Sequence, residues 1–126
     1  MERSTRQRTL IARILTEAER PLSVLELLAL AHAEQPHLGQ ATVYRALKDL
    51  MADGAASLVE IPGSVPRYER RHQGHHHHFH CTACTQVFEV EGCVPGIELL
   101  APVGFTLDSH EIILTGRCAA CTGTDQ

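Results

Sequence analysis

Two Cys-x-x-Cys pairs constrain the fold of this chain more than any other feature of its sequence. Cys81 and Cys84 form the first pair, Cys118 and Cys121 form the second, and 33 residues separate the two pairs. Each pair can place two thiolates on one cation from a tight turn, and four thiolates complete the closed tetrahedral shell of structural Zn²⁺. We therefore expect a structural zinc site that joins two distant parts of the chain.

Disulfide bonds and a redox-active dithiol are the alternative uses of these cysteines. The N-terminus leads into an amphipathic pattern and not into the apolar run of a signal peptide, so we expect a cytoplasmic protein with few disulfides. A redox dithiol needs one such pair and a thioredoxin-like context, which the sequence lacks. The fifth cysteine, Cys93, stays open between a small buried residue, a metal ligand and a redox-sensitive thiol.

A run of histidines, His75–His78, is followed by Phe79 and His80 directly before the first cysteine pair, and the whole stretch is typical of a strand. Side chains alternate between the two faces of a strand, so His76 and His78 share one face while His75 and His77 share the other. One strand can therefore serve two metal sites. Imidazoles suit Zn²⁺, Fe²⁺, Mn²⁺, Co²⁺ or Ni²⁺, and carboxylates harden a site towards Fe²⁺ or Mn²⁺. The candidates to complete these sites are Glu69, Glu89, Glu91, Glu98, and His110 on a further strand predicted over 111–115.

The charge along the chain is uneven and indicates two modules. Residues 1–50 carry a net charge of +1, while residues 51–126 carry −5, all five cysteines and seven of the nine histidines. We expect one module to face an anionic partner and the other to bind cations, with domains spanning 1–69 and 70–126. The net charge of −4 argues against an indiscriminate nucleic-acid binder. No apolar run reaches the roughly 18–20 residues that a membrane-spanning helix needs.

The first module is predicted to contain three helices. A capping box at residues 4–7 precedes an apolar stripe that Pro21 ends, and a second capping box opens the next helix at Ser23. A third amphipathic helix follows and ends near Gly54. Its polar face offers Gln40, Thr42, Tyr44, Arg45 and Lys48.

Two short extended runs, 55–61 and 65–69, flank a Pro-Gly turn and predict a β-hairpin after the helices. Three short helices and a hairpin are the order of a winged helix-turn-helix, so we expect an α+β chain in which a small α/β domain follows this unit. A recognition helix of this kind enters the major groove, where basic side chains meet phosphate or guanine. The alternative is that the polar face of the third helix is an ordinary solvated face.

Taken in order, these motifs resemble the ferric uptake regulator family, over nearly the whole chain from about Arg6 to Cys121. The motifs that carry the resemblance are Ala41-Thr42-Val43-Tyr44-Arg45, Tyr68-Glu69, His75–His78, the two cysteine pairs, Gly104-Phe105 and His110. The resemblance implies a metal-dependent transcription factor, usually a repressor, that binds a palindromic DNA operator as a homodimer. The family includes iron, zinc, manganese and peroxide sensors.

The resemblance also implies roles for individual residues. The paired cysteines correspond to the structural zinc site of the family. The regulatory site at the hinge between domains corresponds to Glu69, His76, His78 and Glu89. A second site within the dimerisation domain corresponds to His75, His77, His110 and Glu98. Tyr44 and Arg45 correspond to residues that touch DNA, and the basic start of the chain would approach phosphates through Arg3, Arg6 and Arg8.

The chain departs from the family pattern in two places. Arg20-Pro21 stands where iron and peroxide sensors supply a histidine before the second helix, which leaves His32, His37 or a hinge site with four protein ligands as alternatives. The stretch between Glu89 and Gly104 is shorter than usual and contains Cys93, which is an alternative ligand in a changed site. The effector metal therefore stays open among Zn²⁺, Fe²⁺ and Mn²⁺.

We expect the chain to act as a metal-loaded homodimer that represses metal-uptake genes. A cation that joins Glu69 to the histidines would hold two recognition helices about one DNA turn (34 Å) apart, as a palindromic operator requires. An enzyme is not expected, because the sequence shows no HExxH motif, no evident nucleophile and no cofactor loop. A peroxide sensor of the same family and a metal-storage or chaperone protein remain alternatives.

Overall fold

The computed structural model describes residues 2–72 and 75–123 and has an α+β fold, as predicted. Its helices are α1 (Glu2–Ala18), α2 (Val24–Ala31), α3 (Gln40–Ala52) and the short α4 (Ala119–Gly123), with a 3-10 turn at Ile97–Leu100. Its strands are β1 (Ala56–Val59), β2 (Arg67–Arg70), β3 (His76–Cys81), β4 (Val87–Glu91) and β5 (Ile113–Gly116). Within the two described ranges, no helix combines the length and the apolar character that crossing a bilayer needs.

The start of α2 is set by local capping. The Ser23 hydroxyl accepts the amide of Glu26 at 3.2 Å, and the Glu26 carboxylate accepts the amide of Ser23 at 2.8 Å, so the capping box predicted for α2 is confirmed. The capping box predicted at residues 4–7 is wrong. Helix α1 already includes Glu2, which places Ser4 inside the helix, where its amide is part of the first turn.

The first three helices pack around one apolar core, which the hairpin closes. The buried members from the helices and their connections are Leu10, Ile11, Ile14, Leu15, Leu22, Val24, Leu27, Ala31, Leu38, Val43, Ala46, Leu47 and Leu50. Ala56 of β1 and Tyr68 of β2 complete the core. Leu22 and Tyr68 exchange two backbone hydrogen bonds of 2.8 Å, which attach the hairpin to the segment before α2. The hairpin therefore moves with the helices.

The hairpin is shorter than its predicted runs, because the chain turns at Ile61, whose carbonyl oxygen accepts the amide of Ser64 at 3.0 Å. Gly63, with φ +76°, supplies the left-handed residue in this turn. Strands β1 and β2 pair antiparallel, with Val59 opposite Arg67. Strand β2 continues through Arg70, so it crosses the boundary predicted between residues 69 and 70.

The second sheet has the order β4-β3-β5, with the histidine strand β3 at its centre. Strand β4 pairs antiparallel with β3 and β5 pairs parallel, with Glu89 and Ile113 on either side of His78. The last strand begins at Ile113 and not at residue 111 as predicted, because its pairing with β3 starts at the Ile112 carbonyl oxygen, which accepts the His78 amide at 3.2 Å. His110 therefore lies before β5 and not on it.

A small apolar cluster joins the hairpin to the second sheet. Val59 and Ile61 from the hairpin are buried against Val87 of β4, and Ile113 packs against them. These contacts hold the helical unit and the sheet side by side, so that residues from β2 and β3 can face each other.

Candidate metal centres

The four paired cysteines converge at one end of the second sheet. Parallel pairing places Cys81, the last residue of β3, opposite Gly116, which brings the second cysteine pair next to the first. Their sulfur atoms all lie within 4.8 Å of one another, and the four residues are Cys81, Cys84, Cys118 and Cys121. None of these cysteines forms a disulfide. Four sulfur donors in one cluster match the ligand set of structural zinc.

The thiols of this cluster differ in their readiness to ionise. The amides of Cys84 and Cys118 both donate to the sulfur of Cys81 at 3.4 Å and lower the pKa of Cys81 to about 5. Contacts with the sulfurs of Cys118 and Cys81 raise the pKa of Cys121 to about 12. The amide of Gln86 favours the thiolate of Cys84, but contacts with the neighbouring thiols and burial outweigh it and raise the pKa of Cys84. At neutral pH the metal-free cluster therefore contains a thiolate at Cys81 and thiols at Cys84 and Cys121.

The predicted hinge residues meet where β2 faces β3. The Glu69 carboxylate is buried, and it lies 3.0 Å from Nε2 of His76 and 3.1 Å from Nε2 of His78. Glu89 on β4 lies beside them, with its carboxylate 3.0 Å from Nε2 of His72. The structure thus brings together all four predicted residues, and it adds His72.

His72 is the member that the sequence reasoning missed. Its Nε2 lies 3.9 Å from Oε1 of Glu69, and the two residues form a potential metal-binding group with His76. The signal in the sequence was weak, since His72 lies three residues beyond the end of the hairpin prediction and outside the histidine run. Its place beside Glu69 and Glu89 depends on how the hairpin faces the second sheet, which the local sequence pattern does not encode.

The hinge group is built around a buried anion. Burial alone opposes ionisation of Glu69, but hydrogen bonds from His78 and His76 outweigh it and lower the pKa of this carboxyl. A buried carboxylate among imidazoles is a mixed oxygen and nitrogen donor set, which fits Zn²⁺, Fe²⁺ or Mn²⁺. The arrangement can therefore hold a divalent cation between the hairpin and the second sheet.

Neither His32 nor His37 joins a group of potential metal ligands in the described part of the chain. Nε2 of His32 lies 2.8 Å from the carbonyl oxygen of Leu38, at the end of α2. Before α2, where the resemblance implies a histidine in iron and peroxide sensors, Arg20 instead donates to the Glu26 carboxylate at 3.2 Å. The histidine that instead lies beside the four predicted hinge residues is His72.

A second group lies on the opposite face of β3 and differs from its prediction in one ligand. His75, His77 and His110 come together as expected, and the fourth member is Cys93. Glu98 lies in the 3-10 turn and is exposed, outside this group. Gly92, with φ +91°, ends β4 and turns the chain so that Cys93, and not the predicted Glu98, lies against the histidines.

The contacts in this second group are close. The Cys93 sulfur lies 3.2 Å from Nε2 of His77 and 3.1 Å from Nε2 of His110, and Nε2 of His75 is 3.1 Å from Nε2 of His110. The amide of Ile112 donates to Nδ1 of His77 at 3.1 Å and fixes the ring. Burial and then the neighbouring imidazoles lower the pKa of His77, which keeps this ring neutral at neutral pH.

The residues predicted to face DNA form an accessible surface on α3. Gln40, Tyr44, Arg45 and Lys48 are exposed, Thr42 is half-buried, and Arg6 is exposed on α1. The opposite face of α3 is buried in the core, so this surface points away from the protein. The Arg45 guanidinium donates to the Thr42 hydroxyl at 3.0 Å, which orients a cation on the exposed face.

The family model described as "Ferric uptake regulator family" matches residues 2–115. The chain belongs to the ferric uptake regulator family. A relative in this family is the transcriptional regulator FurA of Mycobacterium tuberculosis, which is 34% identical over 93 residues. That match covers 71% of this chain and 63% of FurA, so it spans less than two thirds of the length of that relative.

Two solved structures of metal-binding regulators are similar to this chain. The Helicobacter pylori ferric uptake regulator, described as having three functional metal binding sites, superposes with a TM-score of 0.75 at 25% identity, and the match covers 93% of this chain and 80% of that one. A zinc uptake regulator in complex with zinc and DNA gives a TM-score of 0.60 at 30% identity, with 94% and 83% covered. The fold is therefore that of the ferric uptake regulators.

Proposed function

We propose that this chain is a metal-responsive, DNA-binding transcriptional regulator. It represses metal-uptake genes as a metal-loaded homodimer on a palindromic operator. Membership of the ferric uptake regulator family supports this function, and so does the likeness to a zinc uptake regulator solved with zinc and DNA. The three groups of potential metal ligands among the described residues and the exposed polar face of α3 supply the parts that such a regulator needs.

The contact between Glu69 and the histidines of β3 is the observation that carries the proposal. Glu69 belongs to the hairpin, which is attached to the helices through Tyr68 and Leu22. His76 and His78 belong to the centre of the second sheet. Ligands at this place therefore come from both structural units, and their separation depends on how the units are oriented.

Through residues of the chain, a metal bound at the hinge can determine the orientation of α3. A divalent cation at the hinge supplies the positive charge that a buried carboxylate and neutral imidazoles can share. Glu69 holds the hairpin end of the site, while His76, His78 and Glu89 hold the sheet end. Because the hairpin and α3 share one core, fixing Glu69 restricts the orientation of the recognition helix.

DNA binding and metal binding are then linked. An operator with two half-sites requires two recognition helices about one DNA turn (34 Å) apart, and one copy of the chain supplies one helix. Metal that favours the correct orientation raises DNA affinity, and DNA raises metal affinity by the same factor. The cysteine cluster has a separate role as a structural zinc site, in which metal binding contributes to folding.

The test is operator binding by the full chain and by His76→Ala. Operators are first selected from a random DNA pool with the metal-loaded protein, and binding is then followed by fluorescence anisotropy with and without Mn²⁺, Fe²⁺ or Zn²⁺. The wild type binds with one of these metals, whereas His76→Ala remains folded and loses the metal dependence. His32→Gln is the matched control, because His32 lies outside the metal-ligating groups and glutamine can still donate to the Leu38 carbonyl.

Two results would contradict the proposal. Selection of no DNA sequence by the metal-loaded wild type would leave metal storage or delivery as the function. If His76→Ala bound the operator with the same metal dependence as the wild type, the hinge site would not be part of the mechanism. A peroxide sensor is distinguished by treating the iron-loaded, DNA-bound protein with hydrogen peroxide. Release of the protein from the operator would identify a peroxide sensor.

A further inference from the structure

We propose that His75, His77, Cys93 and His110 form a second metal centre whose thiolate makes it selective for Zn²⁺ over Fe²⁺ and Mn²⁺. This centre lies on the face of β3 opposite the hinge group. The inference concerns the ligand set and the metal of this centre. It does not depend on whether the protein binds DNA.

The geometry of the four donors fits a tetrahedral ion. With Zn–N bonds of about 2.0–2.1 Å and a Zn–S bond of about 2.3 Å, neighbouring donors of a tetrahedral site lie about 3.3–3.6 Å apart. The contacts of Cys93 with His77 and His110 are 3.2 and 3.1 Å, and the contact of His75 with His110 is 3.1 Å. These three pairs would match a tetrahedral site if their donors moved apart by on the order of 0.3–0.5 Å, and all four donors lie within 4.8 Å of one another.

The position of each donor is set by a different element. His75 and His77 stand on one face of β3 and its N-terminal approach, Cys93 follows the Gly92 turn at the end of β4, and His110 precedes β5. His77 is 4% exposed, so the centre has one buried ligand and an open side at His75 and Cys93. An ion can enter from the open side and reach all four donors.

The chemistry of the donors distinguishes this centre from the hinge. Three imidazoles and one thiolate form a borderline-soft set that suits Zn²⁺, whereas Fe²⁺ and Mn²⁺ are favoured more by carboxylates. The hinge group contains two carboxylates, Glu69 and Glu89, and this group contains none. The two faces of β3 thus present a harder and a softer site to the same pool of metals.

Metal binding at this centre is accompanied by changes in which donor atoms carry protons. The Ile112 amide donates to Nδ1 of His77, so the ring proton of the metal-free chain is on Nε2, directed at Cys93. Coordination through Nε2 would move this proton to Nδ1 and replace the hydrogen bond from the Ile112 amide. Any proton on the Cys93 sulfur would pass to solvent as the sulfur donated an electron pair to the metal. No oxidant or reductant is involved.

A spectroscopic titration with Co²⁺ tests the proposal. The protein retains zinc in its cysteine cluster, which is verified by elemental analysis, and is stripped of weaker metals before Co²⁺ is added. Sulfur-to-cobalt charge transfer in the near ultraviolet then reports a thiolate ligand outside that cluster. We expect this band in the wild type and in His76→Ala, which removes a hinge ligand. We expect Cys93→Ser to lose it.

A second variant separates the loss of sulfur from the loss of structure. Cys93→Asp offers a carboxylate oxygen at the same position, so it should bind Co²⁺ without the charge-transfer band. Its preference for Zn²⁺ over Mn²⁺, measured by competition, should fall at least about tenfold, the effect that even partners outside the coordination shell commonly have on metal affinity. A band of equal strength in Cys93→Ser, or an unchanged preference in Cys93→Asp, would overturn the proposal. Neither measurement involves DNA, so failure here is distinct from failure of the regulatory function.

Discussion

The guanidinium of Arg67 donates a 2.6 Å hydrogen bond to the carbonyl oxygen of Thr85. Arg67 stands on β2 of the hairpin, and Thr85 follows the first cysteine pair. The same guanidinium donates to the Ser64 hydroxyl at 2.6 Å and to the Val65 carbonyl at 2.7 Å. One buried side chain therefore fixes the turn of the hairpin and attaches it to the cysteine cluster.

Arg67→Ala should destabilise the protein by about 2–4 kcal/mol, because it removes charge-assisted hydrogen bonds from a buried position and leaves the Thr85 carbonyl without that donor. Urea unfolding followed by circular dichroism measures the change. Arg71→Ala is the matched control, since the Arg71 side chain is exposed and the residue follows the same strand. Equal stability of the two variants would show that the bond to Thr85 contributes little.

The attachment through Arg67 also refines the expected regulatory mechanism. The hairpin contacts the second sheet through Val59, Ile61 and Val87 as well, without any metal ligand. In the proposed mechanism, these contacts limit the orientations that the helical unit can take without metal, and metal at the hinge selects among the orientations that remain.

His72→Ala should weaken metal binding at the hinge by about tenfold or more, because His72 contacts Glu89 at 3.0 Å and lies within reach of Glu69. Titration calorimetry with Mn²⁺ on zinc-loaded protein measures this loss. His32→Gln should bind Mn²⁺ as the wild type does. If His72→Ala also kept wild-type affinity, the hinge would be limited to the four predicted ligands.

The sequence predicted those parts of the fold that depend on local periodicity. The alternation of His75–His78 on a strand and the spacing of apolar residues in α1 to α3 are local properties, and the structure has both. The identity of Cys93 in place of Glu98, and the approach of His72, depend on turns whose direction the pattern does not encode. The chain makes one such turn at Gly92, whose φ is positive.

Arg45→Ala should lower operator affinity by about 1–3 kcal/mol if its guanidinium reads a base edge, as its exposed position on α3 and its contact with Thr42 suggest. Anisotropy titrations with the selected operator and with a scrambled duplex measure both affinity and specificity. Arg13→Ala is the control, because Arg13 lies on α1 and is paired with Glu34. A similar loss in both variants would indicate a general effect of charge and not recognition by α3.

Zinc binding at the cysteine cluster should release protons and strengthen as the pH rises. The pKa of Cys81 is about 5, so this residue is a thiolate at neutral pH and contributes no proton. The pKa of Cys84 is raised and that of Cys121 is about 12, so both thiols lose their protons to the metal-bound state. Because the metal-free cluster binds at least these two protons and the zinc form does not, affinity increases with pH through the neutral range.

The measurement is zinc titration of the chelated His76→Ala, Cys93→Ser double variant, in which the cysteine cluster is the intact centre. Calorimetry at one pH in buffers of different ionisation enthalpy gives the number of protons released, which should be at least two. Competition with a chelator between about pH 6 and pH 8 should give a logarithm of affinity that rises by about two per pH unit, once the protonation of the chelator is corrected. A pH-independent affinity would mean that the thiols of Cys84 and Cys121 are already ionised in the metal-free protein, and that the contacts among the sulfurs do not hold their protons.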